Sequence, residues 1–178
     1  MASLYAQGRM HPEIGYFANK YFYEGILQPI PLPHQLEQLP YTIYDKNNEA
    51  EKILATRRTK FIATTASFNN ENPKINRNEA QAIATFVATY YKLCKKNSIK
   101  CNPNKEIGII VPFRNQIAMV TNEIARLKIP DSENIIIDTV ERFQGSQRDI
   151  ILYGTTISTP SMMERLIIIS PPQLYYLY

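Results

Sequence analysis

The stretch Ile107-Gly108-Ile109-Ile110-Val111-Pro112-Phe113-Arg114-Asn115-Gln116 decides the class of fold. Its first five residues are apolar or small without alternation, the pattern of a strand buried on both faces of a parallel sheet. Pro112 ends the strand because it has no N–H for the ladder. Beyond it Ile117, Val120, Ile124 and Leu127 recur at helical spacing, so a helix is predicted from about Arg114 until Pro130 stops it. Ile135-Ile136-Ile137 reads as a further strand, and Asp149 to Thr156, holding Ile150-Ile151-Leu152-Tyr153, as another. Upstream of Ile107 the chain breaks at Asn102-Pro103-Asn104. Before the break, Asn76-Arg77-Asn78-Glu79 resembles a capping box, with Glu79 placed to reach back to the helix start. Ala80, Ile83, Ala84, Val87, Tyr91 and Cys94 continue as one apolar stripe to about Lys96. Phe61-Ile62-Ala63-Thr64-Thr65 has strand chemistry. Strands alternating with helices over short links predict an α/β domain, a mostly parallel sheet flanked by helices. Ligands of such folds bind beyond the carboxyl ends of the strands, which singles out Pro112-Phe113-Arg114 and Asp138-Thr139-Val140.

The flanks are less regular. Ile14, Phe17, Ala18 and Tyr21 predict one helix over Glu13 to Tyr23. The prolines of Gln28-Pro29-Ile30-Pro31-Leu32-Pro33, with Pro40, predict an extended surface connection without helix. Asp45 to Lys60 reads as loop or short helix, its Arg57-Arg58-Thr59-Lys60 cluster as a solvated face. Three sections are therefore expected: 1–60, a motif segment and extended connection packing on the core; 61–158, the core; and 159–178, a divergent or truncated tail.

At 178 residues and 44% hydrophobic the chain can bury a sizeable core without staples, which excludes wholesale disorder. No apolar run approaches the ~18 residues of a membrane span, and Met1-Ala2-Ser3-Leu4-Tyr5 lacks the regions of a signal peptide. Two cysteines make no disulfide framework, so a reducing cytoplasm is the expected compartment. Cys94, Cys101, His11 and His34 do not follow zinc spacing, and no metal site is expected. The net charge, 20 − 16 = +4, permits a nucleic-acid partner without demanding one.

Two further segments carry chemistry. One is Gln7-Gly8-Arg9-Met10-His11-Pro12-Glu13, followed by Phe22-Tyr23-Glu24-Gly25-Ile26-Leu27. The other is Asp138-Thr139-Val140-Glu141-Arg142-Phe143-Gln144-Gly145-Ser146-Gln147-Arg148-Asp149-Ile150-Ile151. Together with the stretch from Ile107 to Gln116, they resemble the second RecA-like motor domain of superfamily 1 helicases, in the Upf1-like and Dna2-like group. The resemblance covers roughly Leu4 to Ser158 and keeps the motif order.

That resemblance implies a RecA-like, P-loop NTPase-type α/β domain and assigns roles. Arg9 is implied as the contact to the γ-phosphate of ATP, reaching from one domain to the nucleotide held by another. Its guanidinium offers two parallel donors where charge spreads in the transition state. Taken alone, Arg9 would read as an ordinary surface ion pair. Gln7 is implied as the polar orienter of the same loop, and His11 as a hydrogen-bonded structural residue. Gln144, Gly145 and Gln147 are implied at the nucleotide, where glycine permits close backbone approach. Thr139, Pro112, Phe113, Arg114 and Gln116 are implied as single-strand backbone contacts. For these loop residues turn chemistry and helix capping stay open.

The sequence departs from the family in three places. Glycine stands at Gly8, where many relatives carry an aromatic that stacks on adenine. Gln147 stands where many have glutamate. The arginine-bearing helix expected after the last core strand has no match within Ser161 to Tyr178. Nor does the chain contain a Gly-x-x-x-x-Gly-Lys-[Ser/Thr] loop to cradle a triphosphate and order Mg²⁺. The expectation is therefore the C-terminal half of a two-domain ATP-dependent DNA helicase, with ATP and Mg²⁺ shared with a missing upstream RecA-like domain. Single-stranded DNA is expected ahead of RNA, and the chain alone is expected to be inactive. The competing reading is a non-catalytic nucleic-acid-binding or adaptor module derived from such a domain. A small-molecule Rossmann-like enzyme lacks its glycine fingerprint.

Overall fold

The computed structural model describes residues 5–64, 72–143 and 148–157. A two-stranded parallel ribbon opens the chain, β1 (Ala6–Gln7) pairing with β2 (Gln28–Pro29). Helix α1 (Pro12–Phe22) lies between them, started by Pro12, whose missing N–H costs nothing in a first turn. Asn19 fixes the return leg by bonding both polar groups of Leu27, at 2.8 Å and 2.9 Å.

The proline-rich connection departs from expectation. It contains a one-turn helix, α2 (Pro33–Leu36), with Pro33 at its first position, where proline's fixed φ suits a helix. Helix α3 (Glu49–Thr56) follows, capped by Asn48. The Arg57–Lys60 cluster is not simply a solvated face. The Arg58 amide donates to Glu13 Oε1 at 3.1 Å and its guanidinium donates to the Glu37 carbonyl, fastening the N-terminal segment.

Phe61 to Thr64 form no strand, and Phe61 is 84% exposed. Propensity there finds no partner strand among the described residues to turn it into pairing. Thr65 lies outside the described residues, as do Ser158 onward and the tail.

The core is built by helix α4 (Arg77–Lys96), the one-turn α5 (Pro103–Glu106), strand β3 (Ile107–Ile110), helix α6 (Arg114–Arg126), strand β4 (Ile136–Asp138), the one-turn α7 (Val140–Phe143) and strand β5 (Ile150–Tyr153). The sheet is fully parallel in the order β4-β3-β5. Ile107, Ile109 and Val111 bury one face of β3 against Ala80, Ile83, Ala84, Val87 and Cys94 of α4 and Val120 and Ile124 of α6. Each isoleucine or valine among them contributes about 1.5–3 kcal/mol by leaving water. Tyr90 takes the buried position expected of Tyr91, which lies half-buried at the margin.

The topology sets which face each crossover covers. The chain steps from β3 to β4 through α6, then reverses past β3 to reach β5. Right-handed crossovers in opposite directions lie on opposite faces. Accordingly, Phe143 of α7 packs behind the sheet, over Gly108, where a Cβ would stand 2.6 Å from its ring. The described residues cover this second face only in part: Ile136, Ile151 and Tyr153 are exposed, so among them the both-face burial expected of the sheet holds for β3 but not its neighbours.

Candidate functional site

The Gln7–Met10 turn is tied by its first side chain. Gln7 Oε1 accepts from the amides of Arg9 at 3.1 Å and Met10 at 2.9 Å, while Nε2 donates to the Met10 carbonyl at 2.8 Å. Helix α2 clamps the turn from outside. The buried Gln35 donates to the carbonyls of Gln7 at 3.2 Å and Met10 at 2.8 Å. His34 Nε2 lies 2.8 Å from the Gly8 carbonyl, which can only accept, so that nitrogen carries the proton. Gln35 and His34 were not singled out in the sequence because their partners are backbone atoms 25 to 28 residues away.

Within this clamp Arg9 has a fixed backbone and an exposed side chain, and its guanidinium has no partner among the described residues. Gly8 is equally constrained. A Cβ on it would meet Leu32 Cδ1 at 3.1 Å and Ile30 Cδ1 at 3.6 Å, so the exit direction of an aromatic ring is already lined by aliphatic groups. His11 caps α1, its Nδ1 accepting from the Glu13 amide at 3.2 Å. Loss of hydration and the Arg58 charge lower its pKa, with Glu13 opposing. A neutral ring is what the cap needs, because a protonated Nδ1 has no lone pair to offer.

The second group of candidates lies at the carboxyl ends of the sheet. The strand ends are laced there: Val111 N donates to the Asp138 carbonyl at 3.1 Å, and Gly154 N to the Ile110 carbonyl at 2.9 Å. Pro112 and Phe113 are half-buried, Phe113 opens α6 without a side-chain cap, and Arg114 projects outward, exposed. Among the described residues Arg114 has no carboxylate partner.

Gln116 and Thr139 behave otherwise. Gln116, expected to reach a nucleic-acid strand, is fully buried. Its Oε1 accepts from the Asn76 amide at 2.8 Å, and its Nε2 donates to the Asn76 carbonyl at 2.9 Å and to Glu79 Oε1 at 3.2 Å. This is a correction with a simple cause: Gln116 lies on the face of α6 that meets α4, one turn before the buried Val120. Thr139 keeps its amide at home, donating to Asp138 Oδ1 at 2.8 Å. Hydrogen bonding by Thr139 and by Glu141's own amide holds the Glu141 carboxyl below the ordinary range. Asp138 is in turn 3.6 Å from Arg142 Nε.

Gln144, Gly145 and Gln147 lie outside the described residues. No hydrogen bond or ion pair among the described residues joins the Gln7–Met10 turn to the strand ends. For a nucleotide, the described residues offer one free guanidinium on a rigid turn, which suits a phosphate oxygen. They include no cluster of ligating side chains for a divalent ion. No described helix is long and apolar enough to cross a membrane.

A parallel sheet with its strand ends open beside α6, together with an arginine held out on a clamped turn, defines a mixed α/β domain of the RecA-like class. The chain belongs to the AAA domain family, whose model matches residues 1–165. Helicase SEN1 of Saccharomyces cerevisiae is 32% identical over 156 residues, 82% of this chain and 6% of that protein. The regulator of nonsense transcripts 1 homolog of Arabidopsis thaliana is 26% identical over 163 residues, 84% of this chain and 11% of that one. The DNA replication ATP-dependent helicase/nuclease DNA2 of Gallus gallus is 36% identical over 62 residues, 34% of this chain and 6% of that protein. These relatives are superfamily 1 helicases, in keeping with the Upf1-like and Dna2-like resemblance of the motifs. The chain spans only a small part, 6% to 11%, of their length.

Proposed function

We propose that this chain is the C-terminal motor domain of an ATP-dependent helicase and supplies Arg9 to a nucleotide bound by a second RecA-like domain. The observation that carries the reading is the clamped Gln7–Met10 turn. Three side chains, from Gln7, His34 and Gln35, fix the backbone, and none of them engages the Arg9 guanidinium. Fixing in advance the backbone that carries the guanidinium lowers part of the entropic cost of meeting a phosphoryl group whose charge grows in the transition state. ATP supplies the hydrolysable phosphoanhydride when bound, with Mg²⁺ held by the other domain. This chain's own part is to neutralise charge from the side with Arg9, while Gln7 keeps the turn in shape. Gln144, Gly145 and Gln147 remain proposed nucleotide contacts.

At the strand ends, Arg114 is the proposed phosphate contact for a single strand, with the amides opening α6 beside Pro112 and Phe113. Thr139 is a weaker contact because its amide already donates to Asp138. DNA is proposed ahead of RNA. In the ATPase assembled with the domain that carries the phosphate loop, Arg9→Ala is expected to reduce turnover about 10³-fold, the scale of an arginine supplied to a phosphoryl transfer. The chain alone is expected to hydrolyse no ATP. An unchanged rate in the assembled Arg9→Ala enzyme would sink the assignment.

A second reading is favoured by one observation. The Gly8 exit lined by Leu32 and Ile30 gives adenine no stacking surface, as in an adaptor that binds nucleic acid without a motor. Such a module would bind oligonucleotides with steep salt dependence and no response to ATP in the full-length protein.

A further inference from the structure

We propose that Glu79 is a positioning residue for the nucleic-acid edge, holding the turn after β5 and the first turn of α6 in one fixed arrangement. The inference rests on the reading of that edge as the nucleic-acid side.

Glu79 sits third in α4, where a glutamate ordinarily reaches back to the amide of the capping residue. Half of that box is present: Asn76 Oδ1 accepts from the Glu79 amide at 3.0 Å. The returning half is not made by Glu79. The Asn76 amide goes to Gln116 of α6 instead, at 2.8 Å. The carboxylate, released from local duty, reaches 76 and 77 residues along the chain to the turn after β5.

There it accepts almost everything the turn can donate. Glu79 Oε2 accepts from the amides of Thr155 and Thr156, both at 2.9 Å, and Oε1 from the Thr156 amide at 3.1 Å. The two threonine hydroxyls stand 3.4 Å from the carboxylate, and Gln116 Nε2 donates at 3.2 Å. The carboxylate is buried, and so is the turn at Gly154 and Thr156. A charge taken out of water needs this number of donors to be tolerated.

Two features show that the turn is shaped around the carboxylate. A Cβ on Gly154 would stand 2.6 Å from Glu79 Oε1 and 2.9 Å from its Cδ, so only glycine admits the approach. Thr156 has φ +58°, a left-handed conformation that a β-branched residue adopts only when its surroundings impose it. The same carboxylate therefore offsets backbone strain at Thr156 and, through Gln116, fixes the helix turn whose exposed residues include Arg114. The segment leaving β5 and the arginine beside Pro112 take their positions from one buried group.

The test uses the 178-residue chain and a fluorescein-labelled oligo-dT strand, at a temperature well below the unfolding midpoint. Glu79→Gln keeps the shape, but either orientation of its amide turns an NH₂ toward donors. Its affinity is expected to fall about tenfold, the scale of ordering a loop and its side chains on binding. The salt slope should stay unchanged, because the number of phosphate contacts is the same. Adding Thr156→Gly, which relaxes the left-handed residue, should restore affinity to within about threefold. A folded Glu79→Gln chain of unaltered affinity, or a double variant no better than the single one, overturns the proposal.

Amide exchange decides the matter if Glu79→Gln does not fold. In the unaltered chain the Thr155 and Thr156 amides should exchange as slowly as those of β3, and exchange at the rate of an open loop overturns the role. If the unaltered chain binds neither oligo-dT nor oligo-U, the nucleic-acid reading fails. The same exchange rates then decide whether Glu79 holds the turn.

Discussion

The Gln7–Met10 turn and the first turn of α6 both carry residues whose types suit phosphate, and they spend them in opposite ways. At Gln7–Met10 the side chains of Gln7, His34 and Gln35 all bond to backbone, and the Arg9 guanidinium has no partner among the described residues. At the start of α6 the amide of Gln116 turns inward to join Asn76 and Glu79, while Arg114 and Asn115 remain exposed. In both places amide side chains hold the frame and a guanidinium is left exposed. Glutamine serves the frame well because it donates and accepts at once without carrying charge into the interior.

The largest effect that could break this contrast is at Gln116. Gln116→Leu leaves the Asn76 amide, the Asn76 carbonyl and the Glu79 carboxylate short of partners inside the protein. Stability measured by urea unfolding is expected to drop by about 3 kcal/mol or more. An exposed ligand contact would lose less than about 0.5 kcal/mol on the same change.

Next comes Gln35→Leu, which removes two donors from the Arg9 turn. About 1–2 kcal/mol is expected, from the loss of two ordinary hydrogen bonds. Sharper proteolysis between residues 5 and 40 should accompany it. Retained stability together with retained protease resistance would mean that α2 does not clamp the turn.

Arg114→Ala should leave stability within about 0.5 kcal/mol. It should lower the slope of log affinity against log salt by about one. An unchanged slope would remove Arg114 from the phosphate contacts.

The smallest effect concerns His11. Its folded pKa lies below its ordinary 6.5, so its contribution to the start of α1 is complete above 6.5 and is lost as pH falls through the lowered value. The Glu13 amide resonance should therefore move on acidification below that pH and stay still above it. Movement confined to higher pH would contradict the capping role.

Long elements were legible in the sequence and their junctions were not. The stripe of α4, the run of β3 and the inner face of α6 repeat a period over several turns or a whole strand, and the structure reproduces them within a few residues, except that Leu127, expected on the inner face, lies past the end of α6 and is exposed. Phe61 to Thr64 had propensity without a partner strand, and propensity alone does not make a sheet. Pro33 read as a helix breaker because its place in a first turn depends on the chain that follows. The capping box at Asn76 was half right. Its missing half is supplied by Gln116, 40 residues downstream, and the glutamate freed by that exchange serves Thr155 and Thr156. Such exchanges leave no local signal, since each residue has the type its own helix would ask for. Arg9 and Arg114 were found because a motif named them. Gln35, His34, Asn19 and Glu79 hold the frame through backbone bonds that no spacing rule encodes.

The central claim is that Arg9 acts on a nucleotide held by another domain. Its most direct test is the steady-state ATPase rate of the assembled two-domain protein carrying Arg9→Lys. That variant keeps the positive charge and loses the fork of donors. Turnover is expected to fall by at least about 100-fold, with nucleic-acid affinity and the unfolding midpoint unchanged. A rate within about twofold of the unaltered protein would contradict the assignment.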